Sequence, residues 1–271
     1  VRLALGLLLQ LFSPVDPAGV AQLHEERIER LGKQYGAEAA ETRAARRDLG
    51  LFWLRNERPA EAERQLRLAL PDAQAAPYLA EAVAAQRGRE AEAEALFAAC
   101  RPAARCSSRL AQLAERRGDG KAALALYREA LDSEPTGTRR NDLAQALQAA
   151  GQMKEAEALF RVAAREQEAQ LGANHPETAT TWNNLASLLV QQDRMAEAEP
   201  WQRRAYVTMQ KTLGPRHVRT GLSASNLADI LRARGRETEA RGLYRRALAI
   251  FEEELGPGHP WTAEARAALG P

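Results

Sequence analysis

Residues 110–135 read LAQLAERRGDGKAALALYREALDSEP, and two helical faces are laid out in them. Leu110, Ala111 and an apolar residue three further on mark one side of a first helix. Ala123, Tyr127 and Ala130, spaced by four and three, do the same for a second. Gly118 stands between them, where a tight reversal demands a backbone conformation that most side chains resist. Small residues on both inner faces let the two backbones approach, and the aromatic is left to fill the gap to a neighbour. One such hairpin cannot bury its apolar face alone, so hairpins of this kind must stack.

Working outward, the spacing recurs in six registers: Ala62-Leu66-Ala69, Ala93-Phe97-Cys100, Ala123-Tyr127-Ala130, Ala156-Phe160-Ala163, Ala198-Gln202-Ala205 and Ala240-Tyr244-Ala247. Twelve residues before each leading Ala stands Gly50, Glu81, Ala111, Ala144, Ala186 or Ala228. The second register, with Glu81 in this small-residue position, fits worst. Five before the Ala, Gly88, Gly118, Gly151 and Gly235 mark the turn, and Glu57 and Asp193 take that place in the other two. Successive leading alanines lie 31, 30, 33, 42 and 42 residues apart, so the last repeats are longer by about two helical turns.

Leu110, Ala111, Gly118, Ala123, Tyr127, Ala130 and Pro135 resemble the signature of the tetratricopeptide repeat, and the likeness covers residues 36 to 271. Within the longer repeats a second motif returns every 42 residues: Leu171-Gly172 with His175-Pro176 and Thr178, Leu213-Gly214 with His217 and Thr220, and Leu255-Gly256 with His259-Pro260 and Thr262. With Asn183-Asn184-Leu185-Ala186 and Glu197-Ala198-Glu199-Pro200, these look like the 42-residue repeats of the kinesin light chain class. Tyr35-Gly36 with Thr42 is a weaker copy that lacks the His-Pro. The resemblance implies an all-α, right-handed superhelical solenoid of stacked antiparallel hairpins. A partial opening helix is expected over 22–36, repeats over 43–73, 74–103, 104–136, 137–178, 179–220 and 221–262, and a partial capping helix over 263–271.

Composition agrees with an all-α class. Ala, Leu, Glu, Gln and Arg, the strong helix formers, fill most segments, and aromatics are only 5%. With 38 basic against 36 acidic residues the net charge is +2, so there is no basic stripe of the kind that binds nucleic acid. Short basic clusters such as Arg43–Arg47 and Arg203–Arg204 read as solvated helix faces. Arg2, the apolar run Leu3–Phe12 and the small-residue exit Ala18-Gly19-Val20-Ala21 have the three parts of a secretory signal over residues 1–21, and export is expected. An amphipathic helix packed on the array is the alternative. The run is too short to span a bilayer, so membrane contact is expected only through residues 1–21, if they are retained. Cys100 and Cys106 are six residues apart across what reads as a helix–helix turn. An exported chain could bridge them, but Cys100 occupies a buried-Ala position, which favours a plain buried thiol.

No phosphate loop, nucleophile elbow or dinucleotide fingerprint is present, and the acidic residues sit at helical spacings beside basic ones. No enzyme activity, cofactor or small-molecule substrate is expected. His175, His217 and His259 are a whole hairpin apart, too far to share a metal ion. They read as loop residues before a Thr that caps the next helix.

The expected function is a scaffold or adaptor holding an extended peptide, or a helix, of a partner protein. The alternatives are an assembly protein that packs on itself or on another solenoid, and a recruiting subunit of an enzyme complex. In the tetratricopeptide family the first helices line the binding groove, and an Asn before the Leu-small pair holds the ligand backbone. On matching positions that role falls to Asn184 and Asn226, with Asn141 beside the equivalent Asp142. A carboxamide suits it, because it both donates and accepts. Helical spacing adds Asn183, Ser187 and Gln191 in the fifth repeat. It adds Ser225, Asp229 and Arg232 in the sixth, and Gln145 and Gln148 in the fourth.

Overall fold

The computed structural model describes residues 17–270. The apolar run Leu3–Phe12, the centre of the expected export signal, lies outside them. Every regular element among the described residues is an α-helix. α1 (Pro17–Tyr35) leads into α2 (Ala40–Arg55) and α3 (Pro59–Ala69), α4 (Ala76–Ala84) and α5 (Glu90–Ala99), and α6 (Ala104–Arg116) and α7 (Gly120–Ser133). The longer hairpins follow: α8 (Gly137–Ala149) with α9 (Met153–Leu171), α10 (Pro176–Gln191) with α11 (Met195–Thr212), and α12 (Val218–Ala233) with α13 (Glu237–Glu254). α14 (Pro260–Leu269) comes last. Among the described residues the opening helix takes in Pro17–Tyr35 and the closing one runs Pro260–Leu269, where Pro260, with no N–H to leave unpaired, suits the first turn.

The chain forms two compact units, residues 1–113 and 114–271. In the first, Ala45, Leu49, Ala62, Leu66 and Ala69 are fully buried between α2 and α3. A Cβ at Gly50 would come within 2.6 Å of the Leu66 side chain, which is why the small-residue position there holds glycine. Glu81 explains the poor second repeat. Its carboxylate is half-buried and reaches out of the hairpin to Arg105 and Arg109 of α6, at 3.1 and 3.4 Å.

Two expectations fail in this unit. Cys100 is not a plain buried thiol but is disulfide-bonded to Cys106, tying the end of α5 to the first turn of α6. The Arg43–Arg47 cluster is not simply a solvated face. Arg47 is half-buried and bridges Asp72 and Gln74.

In the second unit the additional residues of the longer repeats extend the second helices. α9, α11 and α13 run 19, 18 and 18 residues, against 14 for α7. The turn position keeps its left-handed backbone whatever residue fills it: φ is +76° at Gly151, +74° at Gly235 and +60° at Asp193. Arg203 is exposed, as expected, while Arg204 is half-buried and its guanidinium lies 3.9 Å from the centre of the buried Trp182 ring.

The histidine motif works differently from expectation. His175, His217 and His259 are themselves the helix N-caps, each Nδ1 accepting from the backbone N–H two residues on. Thr178, Thr220 and Thr262 point the other way, donating to the carbonyls of Gly172, Gly214 and Gly256. Thr42 does the same to Gly36 in the first unit, so the weak early copy shares the geometry without the histidine.

An ion-pair motif also recurs. The Glu after the leading Ala receives an Arg one turn on and an Arg from the turn of the next hairpin. In the first unit this is Glu63 with Arg67 and Arg89. In the second it is Glu157 with Arg161 and Arg194, and Glu199 with Arg203 and Arg236. Arg89, then Gln86 and Arg67, hold the Glu63 carboxyl down at about 2 against the burial that opposes them. Arg194 does the same for Glu157, lowering it. At Glu199 burial works against ionisation, but hydrogen bonds from Arg203 and Arg236 outweigh it and the carboxyl is again lowered.

Candidate interaction surface on the first helices

The residues singled out by the sequence fall on α8, α10 and α12 in matching registers. Two before the Leu stand Asn141, Asn183 and Ser225; one before it, Asp142, Asn184 and Asn226; two after it, Gln145, Ser187 and Asp229. Side-chain direction on a helix then sorts them. Gln145, Ser187 and Asp229 are exposed, Asn184 and Asn226 are half-buried, and Asn141 is buried.

The asparagines meet one another between hairpins. Asn184 Nδ2 donates to Asn141 Oδ1 at 3.0 Å, and Asn226 Nδ2 donates to Asn183 Oδ1 at 3.0 Å. In each bond the Asn just before the Leu reaches the residue two before the Leu of the preceding repeat. The amides form a ladder that runs from one first helix to the next. One donor hydrogen of each of these carboxamides is thereby directed at the neighbouring repeat.

The charged groups on this surface are also satisfied internally. Arg232 pairs with Asp229 at 3.1 Å and lies over the Tyr244 ring at 5.1 Å. Tyr244 donates its hydroxyl to the same carboxylate. Burial, and then Asp229, raise the Tyr244 hydroxyl well above the ordinary phenol range. Asp142 is pushed up by burial, with Arg139 at 3.5 Å opposing. Gln191 is exposed near the end of α10, and Gln148 is half-buried on α8. What faces solvent in register is therefore Gln145, Ser187 and Asp229.

Residues 137–211, 177–252 and 219–270 each match the tetratricopeptide repeat model. The chain is a tetratricopeptide-repeat protein. Its fold is similar to that of BtubC (BKLC) from P. vanneervenii, at 19% identity and a TM-score of 0.51, over 91% of this chain and 94% of that one. It is also similar to the APC/C hetero-tetramer Cut9–Hcn1, at 17% identity and a TM-score of 0.65. That likeness covers 97% of this chain but only 50% of the other, so the chain spans about half its length. No curated protein matches the chain by sequence.

Within this tetratricopeptide-repeat array, some of the residues that hold the ladder are not legible from the repeat pattern. Gln202 of α11 is buried where the other repeats place an aromatic or Leu66. Its amide nitrogen lies 2.9 Å from Asn183 Oδ1 and 3.0 Å from both the carbonyl and the hydroxyl of Ser223. At the preceding junction the buried Thr181 hydroxyl lies 2.6 Å from Gln167 Oε1 and 3.2 Å from Asn141 Oδ1. The one signal available was negative: Gln202 breaks an otherwise aromatic or aliphatic column.

Proposed function

We propose that this chain, whose tetratricopeptide repeats support a protein–protein interaction scaffold, binds an extended segment of a partner protein on the first-helix face of its second unit. The observation that carries the reading is the exposed row Gln145, Ser187, Asp229, which repeats on three successive first helices beside an amide ladder that fixes their spacing. Packed helices are about 8–10 Å apart, and an extended chain rises about 3.3 Å per residue. Such a row therefore meets roughly every third residue of a ligand lying across it. Its groups are an amide, a hydroxyl and one carboxylate already paired with Arg232, which suits a ligand held by hydrogen bonds rather than by a terminal charge.

Placing arginine at Gln145 and Ser187 tests this without touching the ladder or the Asp229 carboxylate that holds Arg232 and Tyr244. Cross-linked capture from native cells with Gln145→Arg and Ser187→Arg combined is expected to lose a partner that the wild type retains, with helicity and melting kept. An unchanged partner set would move the interface off this face. The pair Asn184→Ala and Asn226→Ala is not equivalent, because it removes bonds between hairpins and is expected to lower stability as well.

A further inference from the structure

The opposite side of the second unit holds a groove that the first-helix reading does not use. It runs between the second helices α11 and α13, with the stripe Thr220, Ala224, Leu227 and Leu231 of α12 beneath it. Spaced by four, three and four, those residues cover about 16 Å along α12, the length of a three-turn helix. One hollow, of about 360 Å³, has Val207, Gly242 and Leu243 in its walls, with Arg203 and with Glu239, whose carboxylate is already paired with Arg236, lining it too. The other, of about 320 Å³, has Pro215, Ala249 and Ile250. Tyr206 and Arg246 line both and meet across the groove, Arg246 Nη1 donating to the Tyr206 hydroxyl at 3.1 Å.

Two features point to an occupant. Val207 is 39% exposed although apolar, and Gly242 leaves open space where a Cβ would meet nothing within 4 Å. Arg246 is the second. Arg203 pairs with Glu199, Arg204 with Glu168 and Arg236 with Glu239, whereas Arg241 of the same helix as Arg246 reaches, among the described residues, only the Leu269 carbonyl. Arg246 has only a neutral phenol, and among the described residues no carboxylate pairs with it. A guanidinium set midway along an apolar groove is complementary to a carboxylate set midway along an apolar helix face.

We propose that this groove docks an amphipathic helix of a partner protein, about three turns long, with an acidic residue at the centre of its apolar face. The apolar anchors, at helical i, i+3, i+4 and i+7 spacing, enter the two hollows. The acidic group takes Arg246 from Tyr206. The site is separate from the first-helix face and does not depend on it.

The test uses the full chain and two labelled three-turn helical peptides with a Leu-and-Ala apolar face, identical except for Glu or Lys at its centre. By fluorescence anisotropy the Glu peptide is expected to bind about tenfold more tightly than the Lys peptide. Arg246→Gln should erase that preference. Gly242→Leu should abolish binding of both peptides while melting stays level or rises, since a helix interior prefers Leu to Gly. Ser187→Arg should leave both affinities unchanged. Equal affinity for the two peptides, no binding of either, or full binding by Gly242→Leu would overturn the proposal. So would a self-association of the wild type that Gly242→Leu abolishes, because the occupant would then be a second copy.

Discussion

Gln202 stands where Phe160 and Tyr244 stand in the neighbouring hairpins, and a consensus-minded reading would replace it with an aromatic. The structure argues against the change. The buried amide joins Asn183 to Ser223 across a hairpin junction, and removing it leaves buried acceptors short of a donor, at a cost of about 1–3 kcal/mol. Gln202→Phe also adds volume to a close-packed site. It is therefore expected to lower the urea midpoint and the melting temperature, and a gain in stability would refute the junction role given to Gln202. At this scale the sequence was half legible. The asparagine registers could be read directly from the 42-residue period. Their partners could not, because Asn184 meets Asn141, and Asn226 meets Asn183, across an offset of 43 residues that no single-repeat pattern displays.

Among the elements, hairpins and turn positions were legible because periodicity and the left-handed turn leave marks that survive substitution. Asp193 holds φ at +60° where Gly151 and Gly235 hold +76° and +74°. Helix starts were less legible. The imidazole rather than the threonine serves as the cap, since Nδ1 of His217 reaches the Arg219 N–H at 3.1 Å while Thr220 turns back to Gly214. The prediction follows from the acceptor. His217→Ala should cost about 1 kcal/mol through the loss of a cap at the start of α12. His217→Asn, which keeps a side-chain acceptor, should cost only a few tenths. Urea unfolding separates them, and hydrogen exchange at the Arg219 amide should quicken in the Ala variant alone. Equal losses in both would assign the effect to packing of the ring, not to capping.

Across the whole molecule, the repeated carboxylates that tie one hairpin to the turn of the next are expected to contribute stability that acid removes. The first unit has Glu63 between Arg67 and Arg89. The second has Glu157 and Glu199, each between two arginines of the same kind. All three carboxyls are lowered in the folded state, Glu63 to about 2. A carboxyl whose folded value lies below its unfolded value binds fewer protons when folded, so its stabilisation is fully present above the unfolded value. It is lost as pH falls through that value towards the folded one. For Glu63 the window runs from about 4.3 down to about 2. The melting temperature should therefore hold between pH 7 and 5 and fall steeply between pH 4 and 2. Glu63→Gln should flatten that fall for the first unit, and Glu199→Gln for the second, each beginning from a lower melting temperature at pH 7. A variant that melts like the wild type at neutral pH and keeps the full acid slope would show that these clusters are surface decoration, and that the acid sensitivity belongs to other carboxylates.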